Sequence, residues 1–145
     1  MATEATITDE QKAANKVIVK TEEGVEHIYS AAKGLVVHGG KDLLSELKPG
    51  TTVIIHYTAD DTAQEIDRVG ADGLSITEGI ATKIYRGKKE ITIRYDNRKI
   101  ETLKLTDRAA ADVGKRISED MRVIAYCSDE AGRKVTHYFK KLEGR

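Results

Sequence analysis

The chain has 145 residues, 39% of them hydrophobic and 33% charged, with one proline, no tryptophan and a net charge of zero. This composition supplies a packed core and a solvated surface for one ordinary domain or two very small ones. It excludes a Pro-rich linker, a bilayer-spanning apolar run of about 18 to 20 residues and, with Cys127 as the only cysteine, any internal disulfide or cysteine-based metal knot.

Residues 1–14, rich in Ala, Thr, Glu and Asp, show no core-forming pattern and read as a flexible N-terminal tail. Met1-Ala2-Thr3-Glu4 has neither the positive start nor the apolar stretch of an export signal. The chain as written therefore reads as cytoplasmic, or as periplasmic or secreted if a leader has been removed. From Lys16 onward the signal is alternation, which puts successive side chains on opposite faces of a strand. Val17 and Val19 share one face, and Val25, His27 and Tyr29 another, with Glu22-Glu23-Gly24 as the hairpin turn between them. Leu35-Val36-Val37 resumes a strand after Lys33-Gly34. Asp42 to Lys48 reads as a short helix ended by Pro49-Gly50. Val53, Ile55 and Tyr57 alternate next, and Ile66 to Val69 follows.

The second half repeats this order. Ile80, Thr82 and Ile84 alternate, Arg86-Gly87-Lys88 turns the chain, and Ile91, Ile93 and Tyr95 alternate in turn. Asp96-Asn97 makes the next turn, and Ile100 to Leu105 the next strand. There Ile100 and the Leu103/Leu105 pair have opposite parity, which predicts a β-bulge near Glu101 or Thr102. Thr106 or Asp107 caps a short helix over Ala109 to Val113 that Gly114 stops. Met121, Val123, Ala125 and Cys127 share a strand face; Asp129 to Gly132 is a turn, and Val135, His137 and Phe139 alternate on the last strand.

An internal repeat at an offset of 70 matches Leu35 to Leu105, Val53 to Val123 and Ile54 to Ile124. It predicts a mainly β protein of two diverged five-stranded small-barrel repeats, each with one short helix, over 15–72 and 73–145. OB-like topology fits the helix placed between the third and fourth strands, and SH3-like topology is the alternative. The first copy lacks a good strand before Lys16 and is expected to borrow one from Leu74 to Thr77, which would merge the repeats into one body. With His38 to Lys41 reading His-Gly-Gly-Lys and Thr106 to Ala110 reading Thr-Asp-Arg-Ala-Ala, the chain resembles bacterial tandem small-β-barrel (OB/SH3-like) proteins of unknown function. That resemblance spans about residues 16–141; it implies a fold and no activity.

The charge is unevenly divided. Residues 1–78 carry 7 Lys+Arg and 14 Asp+Glu, whereas residues 79–145 carry 17 and 10. Two oppositely charged halves suit an internal attraction and a monomer; the basic half also makes an anionic or protein partner conceivable. The interaction candidates are His38 and Lys41, beside a predicted helix start that could cradle an anion, and Tyr85, Lys88, Lys89, Arg94, Tyr95 and Arg108 in the basic half. Tyr85 and Tyr95 would be stacking platforms for a single strand.

The four histidines, His27, His38, His56 and His137, lie on different elements without a local metal-ligand spacing, so no metal or other cofactor is expected. Cys127 with His137 is the one nucleophile–base pair to consider, and its apolar strand neighbours point to an inert thiol. The expectation is a non-enzymatic interaction or structural module. Single-stranded nucleic-acid binding by the basic repeat is the alternative, with metal carriage ranked below it.

Overall fold

The computed structural model describes residues 2–8, 16–38, 49–70, 73–85 and 87–142. The chain divides into two compact units, Met1–Leu74 and Ser75–Arg145. The first holds strands β1 (Ala2–Ile7), β2 (Lys16–Thr21), β3 (Glu26–His38), β4 (Thr52–Tyr57) and β5 (Thr62–Arg68). The second holds β6 (Ser75–Tyr85), β7 (Glu90–Arg94), β8 (Ile100–Leu105), helix α1 (Asp107–Arg116), β9 (Met121–Glu130) and β10 (Arg133–Lys141).

Each unit closes into a barrel. The first runs β1-β2-β3-β5-β4 and the second β6-β7-β8-β10-β9, with the first and fourth strands of each unit paired to close the ring. Third and fifth strands run parallel (β3 with β5, β8 with β10), and all other pairs are antiparallel. Among the described residues each strand is paired on both sides, which removes the free edges that invite pairing with another chain.

Alternation fills each interior. Ile7, Val17, Val19, Tyr29, Val53, Ile55 and Ile66 form the core of the first barrel. Ile91, Ile93, Leu103, Leu105, Val123, Ala125, Cys127 and Phe139 form that of the second. The β2–β3 hairpin turns at Gly24, whose φ of 83° suits a residue without Cβ. Helix α1 lies against β8 and β10, and its buried Ala109, with Ile117 just beyond the helix, joins the second core. The helix begins where Thr106 Oγ1 accepts the Ala109 N–H at 3.1 Å, as an N-cap should.

Each barrel repeats the same pairing pattern. Ala5 faces Val53 as Gly79 faces Val123, and Val17 faces Tyr29 as Ile91 faces Leu103. Pairing thus sets an offset of 74 over the first three strands (Ala5 to Gly79), 70 on the fourth (Val53 to Val123) and 73 on the fifth (Ile66 to Phe139). Equivalence on the third strand follows the parallel pairs Ala31 with Ala63 and Leu105 with Thr136. Leu105 therefore corresponds to Ala31, not to Leu35, and the single offset of 70 holds only on the fourth strand.

Several expectations are corrected. Residues 2–7 are not a tail: β1 pairs with both β2 and β4. No strand is borrowed from Leu74 to Thr77, because Leu74 bridges to Val69 while Ser75 to Thr77 open β6 against β9. The β7–β8 ladder is regular through Glu101 and Thr102; Ile100 simply points outward at 65% exposure, and no bulge is needed. The bulge lies on β6 instead, where register shifts between Ala81 and Lys83, so the inward residue is Ala81 and not Ile80 or Thr82. Helix α1 runs through Gly114 to Arg116, since one glycine costs an interior position only about 1 kcal/mol. The helix expected over 42–48 lies outside the described residues.

Candidate functional site

Two of the basic-half candidates, Tyr85 and Arg94, share one outer face of the second barrel. On β6, Lys83 and Tyr85 pair with Thr92 and Glu90 of β7. On β7 and β8, Arg94 sits opposite Ile100, Thr92 opposite Thr102, and Glu90 opposite Lys104. Because Ile91, Ile93 and Leu103 point into the barrel, these alternate residues point out. Tyr85 is 37% exposed, with the Lys83 ammonium 6.0 Å from its ring centre. The Thr92 and Thr102 hydroxyls meet at 3.2 Å, and Glu90 faces Arg133 at 3.7 Å.

Lys88 and Lys89 are exposed in the β6–β7 turn at one end of this face. Lys89 Nζ pairs with Asp107 at the start of α1, which holds the Asp107 carboxyl below its usual range. Arg108 is exposed on the first turn of α1.

Tyr95 is not on this face. It packs against the second core, and its hydroxyl donates to Glu101. Burial first, then that hydrogen bond and charge, hold its hydroxyl pKa above the ordinary tyrosine value. Tyr85 is left as the exposed platform of the two. His38 ends β3, where the parallel register sets it opposite Asp67. Lys41 lies outside the described residues.

Near the end of β9 lies a serine–histidine contact. Ser128 Oγ is 2.9 Å from His137 Nε2 and donates to Glu130 Oε2 at 2.7 Å. With its proton committed to Glu130, Ser128 accepts from the imidazole. That is the reverse of what a general base needs to activate a nucleophile. Cys127 faces inward, 3.3 Å from Thr136 Oγ1, and burial raises its thiol pKa despite that hydrogen bond. Cys127 and His137 are therefore not joined: one points into the barrel, and the other meets Ser128.

A third group, which the sequence did not bring together, sits on the first barrel. His56 Nε2 lies 3.0 Å from Asp67 Oδ2 and 3.7 Å from Glu65 Oε2, and all three residues are buried. His56 and Glu65 are direct partners across the β4–β5 ladder, and Asp67 lies two residues further along the same face. Their alignment depends on a bulge. His56 pairs with Glu65 and Tyr57 with Ala63, leaving Gln64 as the extra residue. Because Gln64 is taken up as a bulge, Ala63 and Ile66 both enter the core while Glu65 and Asp67 face outward beside His56. At the equivalent places the second barrel carries Tyr126 and Tyr138, whose rings lie 5.4 Å apart. The polar cluster thus belongs to the first barrel.

No protein-family model and no curated protein matches the chain.

Proposed function

We propose that this chain is a non-enzymatic interaction module made of two OB-type barrels derived from one duplicated unit. The strand order, the parallel third and fifth strands, and the helix between the third and fourth strands of the second barrel support the OB-type reading over an SH3-like one. The observation that carries the interaction role is the β6–β7–β8 outer face, where Lys83, Arg94 and Lys104 flank exposed Tyr85 and Ile100. Cations beside exposed apolar groups suit a protein or peptide surface that is both acidic and apolar.

A single nucleic-acid strand suits the face less well. Base stacking needs successive aromatic platforms, contributing about 1–3 kcal/mol per base. Ile100, the most exposed large hydrophobic residue described, offers no such ring.

The experiment is fluorescence anisotropy with two labelled probes, an acidic peptide bearing leucine and phenylalanine, and a 20-mer of oligo-dT. Saturable peptide binding that weakens with salt and is lost in Ile100→Asp and Arg94→Glu is expected, with no oligo-dT binding. Oligo-dT binding with a steep salt dependence would replace this reading by the nucleic-acid one; silence of both probes on the intact protein would remove the face as an interface.

A further inference from the structure

We propose that His56, Glu65 and Asp67 form a buried binding site for one divalent transition-metal ion, of the kind zinc represents. The inference is independent of the β6–β7–β8 face, because all three residues belong to the first barrel.

Three arguments converge. The first is donor geometry. One imidazole nitrogen and two carboxylate oxygens lie within 4.8 Å of one another, with edges of 3.0 Å and 3.7 Å from His56 Nε2. Zinc binds histidine nitrogen and carboxylate oxygen at about 2.0–2.2 Å. Bonds of that length at tetrahedral to octahedral angles separate neighbouring donors by roughly 3.0–3.5 Å. The two edges from His56 lie at and just beyond that range, and all three donor atoms fall within 4.8 Å of one another, so a bound ion would draw the carboxylates together.

The second argument is charge. With a neutral imidazole and both carboxylates ionised, the three side chains carry two negative charges in a buried place. Placing carboxylates side by side out of water is costly unless a cation joins them. A divalent ion matches the summed charge of the two carboxylates, beside the interactions they already make, and needs the imidazole unprotonated, which is its ligating form.

The third argument is rigidity. The donors sit on adjacent strands of a closed barrel, held by the β4–β5 ladder and its bulge rather than by a loop, so their spacing is built in before an ion arrives. Backbone register also sets His38 opposite Asp67 on β3.

The donor set selects the metal class. It contains no thiolate or thioether, which is what a cuprous site uses, while imidazole with carboxylates suits zinc or manganese. Cys127 belongs to the other barrel's core. Both Glu65 and Asp67 make further interactions; a bound ion would add to these.

The test uses the full chain stripped of metal with a chelator. Titration with zinc chloride is expected to give one saturable site per chain and a rise in melting temperature, both lost in Asp67→Asn. Asp67→Asn is nearly isosteric, and far-ultraviolet circular dichroism checks that it folds. A second measurement needs no variant. Substoichiometric manganese(II) should broaden the ring proton signals of His56 in the wild-type NMR spectrum while sparing His27 and His137. Titrating His38→Ala reports whether that histidine contributes: weaker binding makes it a fourth ligand, and unchanged binding leaves a three-residue site. Absence of saturable zinc binding to the folded wild type, or manganese broadening of His27 in preference to His56, would overturn the proposal. Either result would leave the peptide-binding proposal standing.

Discussion

Gln64 and His137 occupy the same place in their two barrels. Each is the extra residue of a bulge on the fifth strand: Gln64 falls between the pairs Glu65–His56 and Ala63–Tyr57, and His137 between Tyr138–Tyr126 and Thr136–Cys127. Repetition of the bulge means that it sets which residues of the fifth strand enter the core. A one-residue slip in a strand sends every following side chain to the opposite face. The bulge absorbs that slip, so deleting Gln64 should be tolerated: Ala63, Glu65 and Ile66 then follow one another, and regular alternation already places them in, out and in. The expected change is within about 1 kcal/mol of the wild type, as for other changes that leave the core intact. Urea unfolding of the deletion variant beside the wild type measures it. A loss of about 3 kcal/mol or more, the size of a buried unpaired carboxylate or a large core vacancy, would show that the inward order of the strand depends on Gln64 itself.

Gly79 makes a second test of the repeated pairing pattern, because its equivalent in the first barrel, Ala5, carries a Cβ. At Gly79 a Cβ would lie 2.5 Å from Ile93 Cγ2 and 2.7 Å from the Arg94 carbonyl oxygen. The carbonyl belongs to the β7 backbone and cannot step aside as a flexible side chain could. Gly79→Ala should destabilise the second barrel by about 1–3 kcal/mol, the usual range for overpacking. Hydrogen exchange at the Ile93 and Val123 amides reads this out. Protection equal to the wild type would mean that β6 and β7 can separate at no cost.

Strands with large alternating residues were legible in the sequence. Val17 and Val19, Ile91 and Ile93, and Val123, Ala125 and Cys127 all point inward as their spacing predicts, because a two-residue period admits one reading once a face is buried. Strand β1 escaped because its inward residues include Ala5, which carries little strand signal, and only Ile7 is large. Ile100 misleads in the opposite direction: its parity against Leu103 and Leu105 predicts a bulge, although single exposed apolar residues are ordinary and Ile100 is one. The His56–Glu65–Asp67 cluster was illegible for a deeper reason. Its members are polar residues on the outer face of strands, which alternation alone marks as solvent-facing. Their meeting requires both the β4–β5 register and the Gln64 bulge. The basic residues were legible as a charge excess, yet only the ladder separates Tyr85, which faces out, from Tyr95, which faces in.

Cys127 should be slow to react in the native protein. It is 1% exposed, shares the second core with Phe139 and Val123, and has a thiol pKa raised chiefly by burial. Only the thiolate is nucleophilic, so both exposure and ionisation are withheld. Native labelling with a thiol reagent at neutral pH should proceed at least about a hundredfold more slowly than in denaturant, as the open state limits it. Fast stoichiometric labelling of the folded chain would show that the second barrel opens readily at β9.

Alkaline pH should weaken the first barrel through Tyr29. Burial first, then the neighbouring Tyr57 and Asp61, raise its hydroxyl pKa to about 12. An unfolded tyrosine ionises near about pH 10, so the folded state prefers the protonated form. The linked stability is fully present below the unfolded value and is lost as pH rises from about 10 to about 12. Denaturation followed across that interval should show falling stability, with a smaller fall in Tyr29→Phe. Identical slopes for wild type and variant would assign the alkaline loss to other groups.

The contrast between Ile7 and Ile76 tests the reassignment of the N-terminal residues most directly. Both are isoleucines on the first strand of a barrel, yet Ile7 is 1% exposed and Ile76 is 56% exposed. Ile7 pairs with Val19 and enters the first core, while Ile76 points away from the second. If β1 closes the first barrel, Ile7→Asp places a carboxylate among Val17, Val19 and Val53 and detaches the strand from β2 and β4. Those two strands would then become open edges. The combined penalty of lost apolar burial and a buried charge should be about 4 kcal/mol or more, at the upper end of single-substitution effects. Ile76→Asp changes only a solvated outer position and should stay within about 0.5 kcal/mol of the wild type. Urea unfolding of the three proteins, with hydrogen exchange on the β2 and β4 amides, decides the matter. Loss of β2 and β4 protection in Ile7→Asp alone is the expected pattern; equal tolerance of both substitutions would return residues 2–7 to the status of a tail.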